Sequence, residues 1–191
     1  MKLNKKRNKT ELTRNIIMDV ARELLVEKGY ANVSMRQIAN EINCSHGAIY
    51  YHFKNKAELF YALVEDHFLI LTKKMDEILQ EQKDNPEKLR NLFIGFIEFG
   101  LNYQSHYEIM FLIKDKAVLH FLNKSPMQTY EKFAQAVSKL SPKPLTIQEI
   151  WSIFLSLHGF VSHYLRHVIH FEEAKDMAKF HVEMLCKWTV E

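Results

Sequence analysis

The sequence predicts an all-α protein of about nine helices: a compact N-terminal helix-turn-helix followed by a larger helical region. Three observations predict it. Only five Gly and four Pro occur in 191 residues, and β-branched runs are scarce. Apolar residues recur at i, i+3, i+4 and i+7 along most of the chain. Helix-start signals, a Ser, Thr or Asn followed three residues on by Glu or Gln, stand at Ser34/Gln37, Asn55/Glu58 and Thr146/Glu149.

The first helix is expected from Thr10 to Tyr30, with Leu12, Ile16, Ile17, Val20, Ala21, Leu24 and Leu25 on one stripe and Gly29 at its close. Ser34 opens a second helix whose inner face is Met35, Ile38, Ala39 and Ile42. Asn43 and Cys44 make the turn, and Ser45 caps a third helix of His46, Gly47, Ala48, Ile49, Tyr50, Tyr51, His52 and Phe53. A Gly inside a helix costs roughly 1 kcal/mol against Ala. Close approach of the backbone to a large partner such as a DNA groove is a reason to keep it. Asn55 then starts a long fourth helix.

The order long helix, Gly-Tyr, two short helices, then Tyr50-Tyr51-His52-Phe53-Lys54-Asn55-Lys56 and a long helix resembles the TetR family of bacterial transcription regulators. The resemblance covers about residues 10–65, with Gly47 to Lys56 its most specific part; Cys44 departs from the small aliphatic residue expected in the turn. It implies a DNA-binding regulator, commonly a repressor, that acts as a homodimer and answers to a small molecule. A weaker likeness to one branch of TetR-type C-terminal domains rests on Trp151, the Leu157-His158-Gly159 string and Tyr107 to Phe111.

Charge agrees with phosphate binding. Residues 1–56 hold eleven Lys and Arg against five Asp and Glu, while the remainder holds fifteen against eighteen. The expected organisation is a basic arm at 1–9, a helix-turn-helix domain at 10–56 and a helical dimerisation and effector-binding domain at 57–191. The arm, with Lys2, Lys5, Lys6, Arg7 and Lys9, reads either as a minor-groove contact or as a solubilising tail.

The expected DNA-contacting residues are Ser34, Arg36, Gln37, Ser45, His46, Gly47, Tyr50, Tyr51, His52 and Lys56. The thin start of the third helix suits a major groove about 12 Å wide. Ser34 and Arg36 are placed for a phosphate. The resemblance implies that Tyr50 and His52 lie near the backbone and Lys56 on a phosphate. No Arg, Asn or Gln projects from the third helix, so readout would lean on shape, with Arg36 and Gln37 as hydrogen-bonders.

Further on, Asp84-Asn85-Pro86-Glu87 restarts a helix through Leu101, and Ser105 to Glu108 starts a short one ending near Ile113. Ser125-Pro126 opens another, and Ser141 to Pro144 is a helix-free connector. Thr146 begins a long helix to about Ile169, apolar on two sides, and Glu172 opens the last one, to about Thr189. These two helices are the expected homodimer contact, with Ser152, Ser156 and Gly159 as a small-residue stripe. His163, His167 and His170 continue that stripe, but no Cys and few carboxylates accompany them. No metal site and no cofactor are therefore expected.

Aromatic residues at helical spacing between Phe93 and Phe154 read first as core. The resemblance adds an effector among them, apolar or aromatic, with Glu98, Asn102, Tyr103, Tyr107, Phe111, Trp151, Phe154 and His158 as candidate contacts. No Gly-rich phosphate loop, nucleophile elbow or Cys/His/Asp arrangement supports an enzyme. With two distant Cys, no membrane-length apolar run and no signal-peptide pattern, the sequence points to the cytoplasm. The competing reading is a TetR-like protein that activates transcription or organises the chromosome without a small molecule.

Overall fold

The structure is a computed structural model that describes residues 12–112 and 125–189. Its helices are α1 Arg14–Lys28, α2 Met35–Ile42, α3 His46–His52, α4 Lys56–Gln80, α5 Asn85–Asn102, α6 Gln104–Tyr107, α7 Ser125–Leu140, α8 Ile147–Tyr164 and α9 Lys175–Trp188. Short 3-10 turns lie at Tyr30–Asn32 and Phe171–Ala174, and a π-helical stretch, Glu108–Leu112, continues α6. No strand occurs among the described residues. The basic arm at 1–9, Thr10 and Ile113 lie outside them. The chain divides into two compact units between Leu63 and Val64.

The first unit is α1 to α3 and the opening turns of α4. Its core is Ile17, Ala21, Leu25, Val33, Ile38, Ile49, Phe53, Leu59, Phe60 and Leu63, all buried. Thr13 caps α1, accepting from the Ile16 N–H at 3.3 Å. The helix stops at Lys28 rather than Tyr30, because Gly29 takes φ 74°, a conformation that side chains other than glycine resist. Asn43 closes α2 in the left-handed region at φ 60°, and the Cys44 N–H returns to the Ala39 carbonyl at 3.0 Å. That leaves Ser45 extended, ready to cap α3.

In the second unit, α5 is the central element, packing against α7, α8 and α9. Asp84 caps it with Pro86 in the first turn. Gly100 makes the α5–α8 crossing possible: a Cβ there would lie 2.5 and 2.9 Å from the two Val161 methyls. Two helix limits differ from the sequence expectation. α8 ends at Tyr164, with Leu165 extended and Arg166 at φ 64°, so His167 and His170 lie beyond the helix. The last helix begins at Lys175 rather than Glu172, after the Phe171–Ala174 turn. Its entry is tied back to α5, where the Asn102 Oδ1 accepts the Phe171 N–H at 3.1 Å.

Candidate nucleic-acid interface and enclosed pocket

The α2–α3 pair is built almost entirely from local hydrogen bonds. The Ser34 Oγ accepts from the Gln37 N–H at 3.3 Å, while the Gln37 Oε1 accepts the Ser34 N–H at 2.8 Å. Gln37 is thus held by a capping box, which occupies its carbonyl. The Ser45 Oγ accepts from the Ala48 N–H at 3.2 Å. Ile49 and Phe53 are fully buried, and they fix which face of α3 turns outward.

That outward face carries Ser45, His46, Gly47, Tyr50 and Tyr51, all exposed, with Ser34, Arg36 and Gln37 exposed on and before α2. His46 and Tyr50 meet edge to face at 4.9 Å, and Tyr51 stands 88% exposed. A Cβ built on Gly47 meets nothing within 4 Å, so no contact among the described residues requires glycine there. Two expected contacts are more enclosed. His52 is half-buried, its carbonyl accepting from Arg14. Lys56, also half-buried, sits 4.0 Å over the Tyr30 ring and donates to the Tyr30 carbonyl. Its ammonium therefore fastens α4 to the turn after α1.

Sequence reasoning passed over Arg14. Its guanidinium lies 4.0 Å from the Phe53 ring centroid, donates to the His52 carbonyl and stands 3.9 Å from Glu58. It fastens the end of α3, and its partners lie 38 residues or more away, where no spacing rule reaches.

The second unit encloses a pocket of about 10 Å³, room for one water at most, lined by Phe68, Met75, Phe96, Phe111, Thr129, Tyr130, Phe133 and Phe154. Of the expected effector contacts, Phe111 and Phe154 line it. Trp151 stacks on Phe154 at 5.3 Å. His158 stacks on Phe154 at 6.1 Å, and its Nδ1 shares a 2.7 Å hydrogen bond with the Tyr107 hydroxyl. Burial pushes Tyr107 well above its ordinary pKa and His158 below its own, so both are neutral. The other six expected contacts do not line the pocket: Tyr107, Trp151 and His158 only adjoin its wall, and Glu98, Asn102 and Tyr103 are held by other groups. Glu98 pairs with Lys74, Asn102 accepts from Phe171, and Tyr103 packs on Phe99 and His67. Phe68, Met75 and Thr129 were missed, since periodicity alone does not say which stripes of α4 and α7 converge.

Residues 17–63 match the family model "Bacterial regulatory proteins, tetR family". Residues 17–63 are thus a domain of the tetR type. An HTH-type transcriptional regulator of Staphylococcus aureus (strain USA300) is 28% identical over 138 residues, 63% of this chain and 72% of that protein. The HTH-type transcriptional activator FasR of Mycolicibacterium smegmatis is 29% identical over 98 residues, 51% of this chain and 45% of that one. In fold, the chain matches the transcriptional regulator FadR from Bacillus subtilis, solved in complex with stearoyl-CoA. The TM-score is 0.71 at 16% identity, over 94% of this chain and 98% of that one. The α2–α3 pair lies within the matched residues, so the helix-turn-helix is that of a DNA-binding domain of the tetR type. No helix among the described residues is long and apolar enough to cross a membrane. Nor do those residues group three His, Cys, Asp or Glu side chains for a metal.

Proposed function

We infer that this chain is a cytoplasmic homodimeric repressor of the TetR type, released from a palindromic operator by an apolar or aromatic small molecule. The observation that carries the effector reading is the aromatic pocket, whose wall holds no charged side chain. Its polar lining residues are Thr129 and Tyr130 alone, and Tyr107, packed on Phe111, is paired with His158. A ligand filling it would bury hydrocarbon or an aromatic ring and keep any polar head outside. The stearoyl-CoA held by the Bacillus subtilis FadR is one molecule of that kind.

Two observations support the dimer. Met177, Phe180, Met184 and Trp188 form one stripe along α9, each 42–62% exposed, and Trp151 and Leu155 on α8 are comparably open. Apolar surface of that extent calls for a cover. A second copy supplies it as a four-helix bundle, and two helix-turn-helices then read two half-sites. The proposed DNA contacts are Ser34, Arg36, Gln37, Ser45, His46, Gly47, Tyr50 and Tyr51, with His52 and Lys56 acting closer to the phosphates. The proposed domain boundary lies at the start of α4.

Fluorescence anisotropy on the gene's own upstream DNA, beside a scrambled duplex and at two salt concentrations, tests this reading. The expected result is salt-sensitive binding to the first alone, saturating at one dimer per site and reversed by stearoyl-CoA or a neutral aromatic probe. Equal, weak binding to both duplexes counts against a local operator. Activation is the second reading, favoured by the FasR relative. A promoter reporter that loses signal on gene deletion would establish it in place of repression.

A further inference from the structure

Two unusual stretches of backbone in the second unit hold each other in place. Among the described residues, only Asn43 and Arg166 adopt positive φ without being glycine. Asparagine tolerates that region, whereas arginine gains nothing from it. Glu108–Leu112 runs in π register, a form found mostly as single turns at functional sites. The Arg166 guanidinium donates to both Glu108 carboxylate oxygens, at 2.8 and 3.0 Å, across 58 residues of sequence. The Arg166 N–H donates to the Gln104 Oε1 at 2.9 Å. In return the Gln104 Nε2 donates to the Val168 and Ile169 carbonyls at 2.8 and 3.3 Å. Residues 165–170 contain no Gly or Pro, so these bonds, not the local sequence, set the turn that ends α8.

The π stretch also carries Phe111, which walls the pocket and packs on Tyr107 at 4.6 Å and His158 at 5.6 Å. A pocket of about 10 Å³ admits no ligand until a wall moves. The other wall rings stand on the α-helices α4, α5, α7 and α8, and among the wall rings Phe111 alone stands on a π turn.

We propose that Glu108, Gln104 and Arg166 form a clamp that keeps the pocket shut and α8 short. A ligand that displaces Phe111 moves the π turn, breaks the Glu108–Arg166 pair and frees residues 165–170. The inference rests on the reading of the pocket as the effector site. The three residues are positioning residues, since none of them lines the pocket. Binding must then do the work of opening the clamp, so removing the clamp beforehand tightens binding. A merely structural ion pair has the opposite sign, because its loss loosens the pocket or leaves affinity unchanged.

The test titrates cis-parinaric acid, a fluorescent hydrocarbon-chain acid, into wild type, Glu108→Gln and Arg166→Gly, the last of which also removes the positive-φ strain. Hydrogen exchange of residues 165–170 is followed with and without the probe. Both variants are expected to bind about two- to fivefold more tightly, the range for an exposed ion pair. The probe is expected to speed exchange at 165–170 in wild type and to add nothing in the variants. Saturable wild-type binding, with equal or weaker binding by both variants, overturns the clamp and leaves the pocket reading standing. No saturable binding by any of the three overturns both.

Discussion

Gly47 and Gly100 both sit inside helices, yet their surroundings could hardly differ more. A Cβ on Gly47 would meet nothing within 4 Å, whereas one on Gly100 would fall 2.5 Å from a Val161 methyl and 3.1 Å from the Tyr107 ring. The bare backbone in α5 serves the protein's own core. The bare backbone in α3 is required by no contact among the described residues, which is what the proposed DNA interface expects. One glycine serves folding, and the proposed interface assigns the other to a partner, so on that proposal the two should respond to the same substitution in opposite ways.

The largest effect is expected at the crossing. Gly100→Ala forces two helices apart against Val161, which is fully buried and has nowhere to swing. Overpacking of this kind costs about 1–3 kcal/mol. Urea denaturation of the variant should show that loss, with operator affinity of the folded protein little changed. Unaltered stability would mean that α5 and α8 adjust freely, and the contrast between the glycines would lose its basis.

Gly47→Ala should do the reverse. Helix propensity favours the change by up to about 1 kcal/mol, so stability holds or rises. Operator affinity should fall about tenfold or more, a loss of roughly 1.4 kcal/mol, because the added methyl stands off the groove wall. Wild-type affinity in this variant would remove Gly47 from the proposed interface.

What the sequence made legible follows the range of the interactions. The capping boxes at Ser34/Gln37 and Thr146/Glu149 join residues three apart, and both form as the spacing predicts. The inward faces of α2 and α3 were legible for the same reason, one helical period being a local property. The end of α8 was not. It depends on Glu108 and Gln104, about sixty residues upstream, and no Gly or Pro marks it. The effector candidates divide the same way. Phe111 and Phe154 line the pocket as expected, while Glu98 and Asn102 are claimed by Lys74 and the Phe171 N–H, partners that only the folded chain brings near.

Ser34 sharpens the comparison on the DNA side, because it carries two roles at once. As the α2 cap it satisfies the Gln37 N–H, and as a proposed phosphate contact it must be free of negative charge. Ser34→Ala should lower stability by about 1 kcal/mol. Ser34→Asp keeps an acceptor at the cap and should restore that stability while weakening operator binding through repulsion. Equal affinities for the aspartate and serine proteins, measured at low salt, would leave Ser34 with the capping role alone.

The smallest effect belongs to the interior of the second unit and concerns pH. Burial holds the His158 imidazole below its ordinary value near 6.5, and His181, hydrogen-bonded to Ser156, is shifted the same way by the same cause. In the unfolded chain both regain the ordinary value. Between that value and the depressed one, the unfolded state takes up protons that the folded state refuses. Stability is therefore complete above about pH 6.5 and is lost as pH falls through the folded pKa. His158→Gln removes one of the two contributions and leaves His181 in place. Urea midpoints at pH 7.5, 6.5 and 5.5 should fall less steeply for that variant than for wild type. Parallel curves would mean that His158 titrates alike in both states, and that its bond to Tyr107 offsets the burial holding its pKa down. The comparison needs no absolute stability, since the groups common to both proteins cancel in the difference between their slopes.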